Sequence, residues 1–220
     1  YLILRPDEDG DSPKRVYQQV RLPKEYIRFK DVSRGMSLTP QFKQAYNYIR
    51  KRNITDEMCD RYNIGFCLDG DYGNRIIIPS YDEYGKLNYF IARSYLTYTK
   101  LKYKNPEVQK EIIIFNEKLI NWNEKIYIVE GAFDSIFIPN SIPMLGKFMS
   151  DHLFNKLYDQ AKGGITIVLD PDAWNDAERL YHRINCGKLM GKVNIVKLEG
   201  DKDIADLAGN LSDYREKQLD

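Results

Sequence analysis

The sequence is poor in the residues that build zinc sites, disulfide frameworks and membrane anchors. It has three cysteines and two histidines among 220 residues, and no two cysteines stand at Cys-x-x-Cys spacing. This scarcity argues against a zinc site and against a disulfide framework, and it predicts a reducing, cytoplasmic compartment. No apolar run approaches the roughly 18 residues of a membrane span, and no signal peptide is visible.

An excess of charge of either sign is also missing. The chain has 33 Lys and Arg against 32 Asp and Glu, a net charge of +1. The net charge therefore gives no evidence for a polyanionic partner. Evidence for one has to come from local clusters of charge. The hydrophobic content of 43% and charged content of 30% are ordinary for a globular protein with a sizeable core.

The order of the predicted elements indicates an α/β protein in two parts. We expect a lead-in segment at 1–38, an α+β subdomain at 39–122, a mainly parallel sheet with helices on both faces at 123–210, and a C-terminal tail or helix at 211–220. The change from one pattern to the other falls near residues 121–124.

The N-terminal subdomain begins with two short helices. Thr39 as N-cap with Pro40 at the first helical position predicts one helix, and Thr55 can begin a second. Predicted strands follow at 64–68, 75–79 and 87–93, the last two joined by a hairpin turn at 82–85.

Strands and helices then alternate along the C-terminal part. Predicted strands lie at 126–129, 142–145, 165–169 and 193–196, with helices at 132–137, 150–161 and 172–189. Ser150 is the expected N-cap of the second of these helices.

Carboxylates follow three of these strands. Glu130 ends the first, Asp170 and Asp172 end the third, and an acidic cluster containing Asp203 follows the fourth. Ligands of open α/β sheets bind beyond the carboxyl ends of the strands, where crowded carboxylates attract Mg²⁺ or Mn²⁺. The pattern therefore predicts a metal-dependent phosphate site.

Each carboxylate alone also has a plain structural explanation. Glu130 can be a solvated strand end, Asp172 can cap the following helix, and the cluster around Asp203 can be a charged surface loop.

Residues 93–106 form a basic, tyrosine-rich segment that contains no acidic residue. Lys and Arg neutralise phosphates, and tyrosine rings offer stacking faces for unpaired bases, so the segment predicts contact with nucleic acid or nucleotide. Arg75 can join this surface or be structural. The alternative for the whole segment is a solvated basic loop.

Several motifs together resemble a known family. Glu130-Gly131-x-x-Asp134 followed by Asp170-x-Asp172 resembles the Toprim domain of bacterial-type primases, topoisomerases and some nucleases and recombination proteins. Upstream, the stretches at 48–66, 74–93 and 102–116 are similar to successive motifs of the primase core, in the same order. The resemblance covers residues 40–210, and the residues of its motifs are most similar to those of phage-encoded primases.

This resemblance implies a DNA primase core, a nucleotidyltransferase that makes short RNA primers on single-stranded DNA. It implies Mg²⁺ or Mn²⁺ as cofactor and nucleoside triphosphates (NTPs) as substrates. A replicative helicase and an N-terminal zinc-binding module are the implied protein partners, with no membrane involvement.

The resemblance also assigns roles to individual residues. The implied catalytic residues are Glu130, Asp170 and Asp172, and the implied metal ligands are these three with Asp134 and Asp203. The implied contacts to template or NTP are Arg75, Arg93, Lys102, Tyr103, Asn105, Lys118 and Lys147. The chain departs from the family at Glu117, where a lysine is expected, and at Ala205, where many members have an aspartate.

Two other functions remain open at this point. A Toprim nuclease would use the same carboxylates to hydrolyse phosphodiesters, and a non-catalytic nucleic-acid-binding module would keep only the scaffold. The primase-like N-terminal half favours the polymerase.

Overall fold

Two four-stranded sheets form the framework of the protein. The structure, a computed structural model, describes residues 20–198 and residues 204, 207, 210, 216, 218 and 219. The first sheet is antiparallel, in the order β1 (Ile27–Arg28), β2 (Gly65–Cys67), β3 (Arg75–Tyr81) and β4 (Leu87–Ser94). The second is parallel, in the order β6 (Ser141–Pro143), β5 (Ile126–Val129), β7 (Ile165–Val168) and β8 (Val193–Val196).

The helices are short and surround these sheets. They are α1 (Arg34–Ser37), α2 (Pro40–Lys51), α3 (Asp56–Arg61), α4 (Asp134–Phe137), α5 (Asp151–Gln160) and α6 (Trp174–Ile184). Single 3-10 turns lie at Phe29–Asp31, Lys110–Ile112, Glu117–Leu119, Pro171–Ala173 and Gly187–Leu189. No helix in the described part of the chain has the length and apolarity needed to span a bilayer.

The helix starts predicted for the N-terminal part are confirmed. The Thr39 hydroxyl accepts the backbone N–H of Phe42 with Pro40 at the first position of α2, and Thr55 caps α3 in the same way. These hydroxyls satisfy N–H groups that have no partner within the helix.

The predicted hairpin is also confirmed, although β3 continues past Pro79 to Tyr81. Proline has no N–H to donate to a ladder of backbone hydrogen bonds. However, β2 pairs only with Arg75–Ile77, so β3 has a single neighbour at Pro79 and the missing donor disturbs no second ladder.

In the parallel sheet β5 and β8 match their predicted ranges, and β6 and β7 end earlier than predicted. Ser150 caps α5 as expected.

The helix predicted at 172–189 is shorter in the structure, because a 3-10 turn precedes α6 and another follows it. The expectation that Asp172 caps this helix is wrong, since Ala173 is the N-cap and no side chain caps α6.

The two faces of the parallel sheet are covered differently. Helices α5 and α6 pack on one face, through a core that includes Ile128, Leu157, Ile167 and Ile184. The other face packs on α4 and on the core of the N-terminal half, in a cluster that includes Ile49, Phe66, Val129, Phe137 and Val168. The predicted α/β class with helices on both faces is confirmed.

One continuous core therefore joins the N-terminal half to the parallel sheet. The buried hydroxyl of Tyr62, at the end of α3, donates to the backbone carbonyl of Ser135 in α4 at 3.0 Å. The predicted boundary at 121–124 stays a prediction, and most of the tail predicted at 211–220 lies outside the described residues.

Candidate active site

The carboxyl ends of the parallel strands form one wall of an open cleft. Val129 of β5 pairs with Val168 of β7, so Glu130 and Asp170 follow at the same edge of the sheet. The cleft has a volume of about 440 Å³, and its lining residues are Glu130, Gly131, Gly146, Lys147, Asp172, Ala173 and Asp176. The tertiary structure thus brings together the segments that follow β5, β6 and β7.

The acidic side chains of the cleft influence one another electrostatically. Partial burial raises the pKa of Glu130, and the negative charges of Asp170, Asp172 and Asp176 raise it further. A hydrogen bond from the backbone N–H of Asp170 to the Glu130 carboxylate opposes this shift. The net effect is a raised pKa, which shows that negative charge is concentrated around Glu130.

Asp176 is a member of this field that the sequence reasoning missed. It lies in the first turn of α6, lines the cleft and accepts a hydrogen bond from Arg179 at 3.0 Å. Its spacing of four residues from Asp172 was the available signal, because residues four apart share one face once a helix begins.

Asp134 holds the turn between β5 and α4. Its Oδ2 accepts the backbone N–H of Gly131 at 2.8 Å, and a Cβ at residue 131 would lie 3.1 Å from the same oxygen. Asp134 therefore fixes the backbone that immediately follows Glu130, and Gly131 keeps the approach to the strand end open.

The carboxylates do not form a closed metal site. No three His, Cys, Asp or Glu side chains within residues 20–198 and the few described positions beyond are grouped closely enough to hold an ion. Asp203, predicted as a further ligand, lies outside the described residues.

A cluster of cations and aromatic rings lies beside the turn that follows Glu130. The guanidinium carbon of Arg93 is 5.2 Å from the ring centroid of Tyr103 and 5.0 Å from that of Phe133. Arg93 also donates to the Tyr103 hydroxyl at 2.6 Å. Arg52 lies 5.5 Å from the same Phe133 ring and 5.2 Å from that of Tyr48.

Lys102 belongs to the same electrostatic neighbourhood. The charge of Arg93 lowers the pKa of Lys102, with smaller contributions from burial and from the charge of Arg52. We call Arg52, Arg93, Lys102, Tyr103 and Phe133 the cation–aromatic cluster. Three mutually repelling cations favour an anionic ligand, because bound phosphate relieves their repulsion.

Two members of this cluster were not among the predicted site residues. Arg52 lies in the stretch at 48–55, whose sequence resembles a primase motif. That resemblance was the signal from which Arg52 could have been predicted. No signal in the sequence indicated Phe133, because its position beside two arginines depends on chain segments about 40 and 80 residues earlier.

Arg75 and Asn105 shape the basic segment from within the fold. Arg75 is only 8% exposed and donates to the backbone carbonyls of Leu101 and Lys102 at 3.0 and 3.3 Å. Burial lowers its pKa. The Asn105 side chain accepts the backbone N–H of Ala92 at 3.0 Å. Both side chains brace the loop that carries Lys102.

Lys118 is not brought to the cation–aromatic cluster. Its Nζ lies 3.3 Å from the position of a Cβ on Gly85, in the turn between β3 and β4. Arg93 is six residues along β4 from Leu87, roughly 20 Å away at the usual rise of a strand. The adjacent Glu117 is buried and forms an ion pair with Lys156 at 2.8 Å.

Comparison with known proteins shows relatives in sequence and in fold. No family model matches the chain. A DNA primase of Mycoplasma genitalium is 34% identical over 115 residues, which are 48% of this chain and 19% of that protein. The chain therefore matches only about a fifth of the length of this curated relative.

Solved primase structures superpose on most of the chain. The zinc-binding and RNA polymerase domains of the Aquifex aeolicus primase give a TM-score of 0.65 at 18% identity, covering 80% of this chain and 57% of that one. A DNA primase domain from Pseudomonas aeruginosa gives 0.63 at 23% identity, covering 78% and 69%. A DnaG primase catalytic domain bound to single-stranded DNA gives 0.62 at 19% identity, covering 78% and 71%.

The chain has the fold of the DnaG primase catalytic core. The resemblance to bacterial-type primases is thereby confirmed, and the phage-like wording of the motifs stays a prediction. Within the DnaG fold, Glu130 and Asp172 face the cleft, and the cation–aromatic cluster flanks the turn after Glu130.

Proposed function

We propose that this chain is the catalytic core of a DNA primase, a nucleotidyltransferase that makes RNA primers on single-stranded DNA. The observation that carries the proposal is the placement of two unlike sites on either side of one turn. Carboxylates at strand ends line a cleft before this turn, and the three cations of the cation–aromatic cluster, with the Tyr103 ring, lie on the side of Phe133, within the turn.

The donor set of the cleft suits a hard divalent cation. Glu130, Asp170 and Asp172 are all-oxygen ligands on adjacent strand ends, and the charges of both aspartates raise the pKa of Glu130. One or two of these carboxylates, together with phosphate oxygens of the NTP, would hold Mg²⁺ or Mn²⁺, and the metal would offset the charge of the phosphates. Asp134 would keep the Glu130 turn in place through Gly131.

The cation–aromatic cluster would bind the template strand or the NTP. Arg93 and Lys102 supply positive charge, and the partly exposed Tyr103 ring supplies a face on which an unpaired base can stack. A DnaG catalytic domain of the same fold has been solved bound to single-stranded DNA, which supports this choice of ligand.

The remaining partners follow from the proposed reaction. A replicative helicase would deliver the enzyme to single-stranded DNA, and a zinc-binding module would help to select the start site. A cytoplasmic location accords with free thiols at Cys59, Cys67 and Cys186.

A single assay tests the proposal. The chain is incubated with a single-stranded template, labelled NTPs, and Mg²⁺ or Mn²⁺. Short, template-dependent RNA is the expected product. Cleavage of the template would instead identify a nuclease that uses the same carboxylates, and binding without reaction would identify a non-catalytic module.

A further inference from the structure

Lys147 lies in the loop that follows β6, one of the two edge strands of the parallel sheet. The strand order β6-β5-β7 places the loop after β6, with Lys147, next to Glu130 after β5, and Asp170 and Asp172 lie beyond it. Across β6, β5 and β7 the charges that follow the strands therefore run from positive to negative.

Lys147 supplies the one positive side chain among the described residues that line the cleft. It faces a lining that includes Glu130, Asp172 and Asp176. It forms no ion pair with a described carboxylate, and its Nζ lies 5.6 Å from the ring centroid of the exposed Phe148. Its ammonium group is thus at the cleft and available to a ligand.

The backbone of this loop is held in an unusual conformation. Leu145 has a φ of +58°, in the left-handed region that a leucine rarely occupies. The Leu145 side chain packs against the core that joins the two halves, and Met149 is buried in the core on the other face of the sheet. Both ends of the loop are anchored, so the turn at Leu145 directs Gly146 and Lys147 to the cleft.

We propose that Lys147 binds the β- and γ-phosphates of the incoming NTP. This inference rests on the proposed primase function. In that reaction the 3′-hydroxyl oxygen bonds to the α-phosphorus, its proton passes to water, the bond from the α-phosphorus to the bridging oxygen breaks, and pyrophosphate leaves. The strand-end carboxylates would hold Mg²⁺ or Mn²⁺, which would offset part of the phosphate charge, and a cationic side chain beside them would further stabilise the charge that develops on the leaving pyrophosphate. Lys147 is placed for this contact at the side of Glu130 away from Asp170.

The test compares binding of a nucleoside triphosphate with that of its monophosphate. The full chain is titrated with ATP and with AMP in the presence of Mg²⁺, for the wild type and for Lys147→Met, Lys147→Arg and Lys162→Met. Lys162 is exposed and precedes β7, so it lies at the end of the sheet where the strands begin, away from the cleft. It therefore controls for loss of a surface charge.

We expect Lys147→Met to weaken ATP binding about tenfold and to leave AMP binding unchanged, because one charge-assisted phosphate contact is lost. Lys147→Arg and Lys162→Met should bind ATP like the wild type. The inference is overturned if the wild type does not prefer ATP to AMP, if Lys147→Met matches Lys162→Met, or if it loses both ligands equally.

Primer synthesis by the wild type is measured separately and decides the proposed function. A chain that makes no RNA, yet loses its preference for ATP in Lys147→Met, would refute the proposed synthesis and keep the triphosphate site.

Discussion

The guanidinium carbon of Arg93 lies 5.0 Å from the ring centroid of Phe133. Arg93 is in β4 of the antiparallel sheet, and Phe133 lies three residues after Glu130 in the turn beyond β5. Arg52 contacts the same ring at 5.5 Å. One buried aromatic side chain thus connects the basic surface of the N-terminal half to the acidic end of the parallel sheet.

Replacing Phe133 by leucine should weaken binding of single-stranded DNA several-fold with little loss of stability. Leucine keeps the apolar packing, but it removes the ring over which both arginines lie, a contact of about 0.5–2 kcal/mol for each cation. Fluorescence anisotropy with a labelled oligonucleotide measures the affinity. Phe137→Leu, the same change in the same core, is the control and should bind like the wild type.

Lys102→Gln should reduce the dependence of DNA binding on salt. One phosphate contact contributes about one unit to the slope of log K against log [salt]. Lys104→Gln is a matched control on the same loop, because the Lys104 ammonium donates to the carbonyl of Asp71 and lies 5.0 Å from the Tyr72 ring. Equal slopes for wild type and Lys102→Gln would remove Lys102 from the DNA-binding surface.

Asp170→Asn should lower primer synthesis by about 100-fold or more and leave binding of single-stranded DNA intact. The substitution removes a charged oxygen ligand at the strand end without changing the size of the side chain. Asp159→Asn, an exposed acid on α5, should retain activity. Full activity of Asp170→Asn would exclude this residue from the metal site.

Lys156→Met should lower the free energy of unfolding by about 2 kcal/mol, measured by urea denaturation. Glu117 would then be buried without its cation, although the 17% exposure of the Lys156 side chain keeps the cost below the roughly 3–5 kcal/mol of a fully buried pair. The double variant Lys156→Met with Glu117→Leu should recover most of the loss, because it removes both charges. Additive losses would show that the pair contributes little.

Cys59 and Cys67 should resist alkylation in the folded protein at pH 8.5. Burial raises the pKa of each thiol to about 12, so the reactive thiolate is scarce at that pH. The same shifts make folding less favourable as the pH rises from about 9 towards 12, since the unfolded thiols lose their protons first. Mass spectrometry should find iodoacetamide on the partly exposed Cys186 before urea is added, and on all three cysteines afterwards.

Much of the framework could be predicted because its determinants are local. Thr39, Thr55 and Ser150 cap helices through N–H groups three residues away, and short β-branched runs gave β5 and β8 at their observed ranges. Glu130 and Asp170 could be placed at one edge of the sheet because parallel strands end on the same side.

The roles of individual side chains depended on residues far along the chain. Arg75 has the charge expected of a phosphate ligand, yet its guanidinium is buried against carbonyls 26 and 27 residues later. Asn105 braces a backbone 13 residues earlier, and Glu117 pairs with a lysine on α5. A residue's type shows what it can bind, but only the folded chain shows which partner reaches it.

The sequence by itself therefore determined the strands after residue 64, their order along the chain and the carboxylates at their ends, since strand propensity and capping act over a few residues. It did not show β1, which lies in the predicted lead-in segment and pairs with β2. Only the tertiary structure decided that Arg52 joins Arg93 at Phe133, that Asp176 and Lys147 line the cleft, and that Arg75 is buried. The physical reason is that burial and charge pairing depend on distances between segments, which no local pattern specifies.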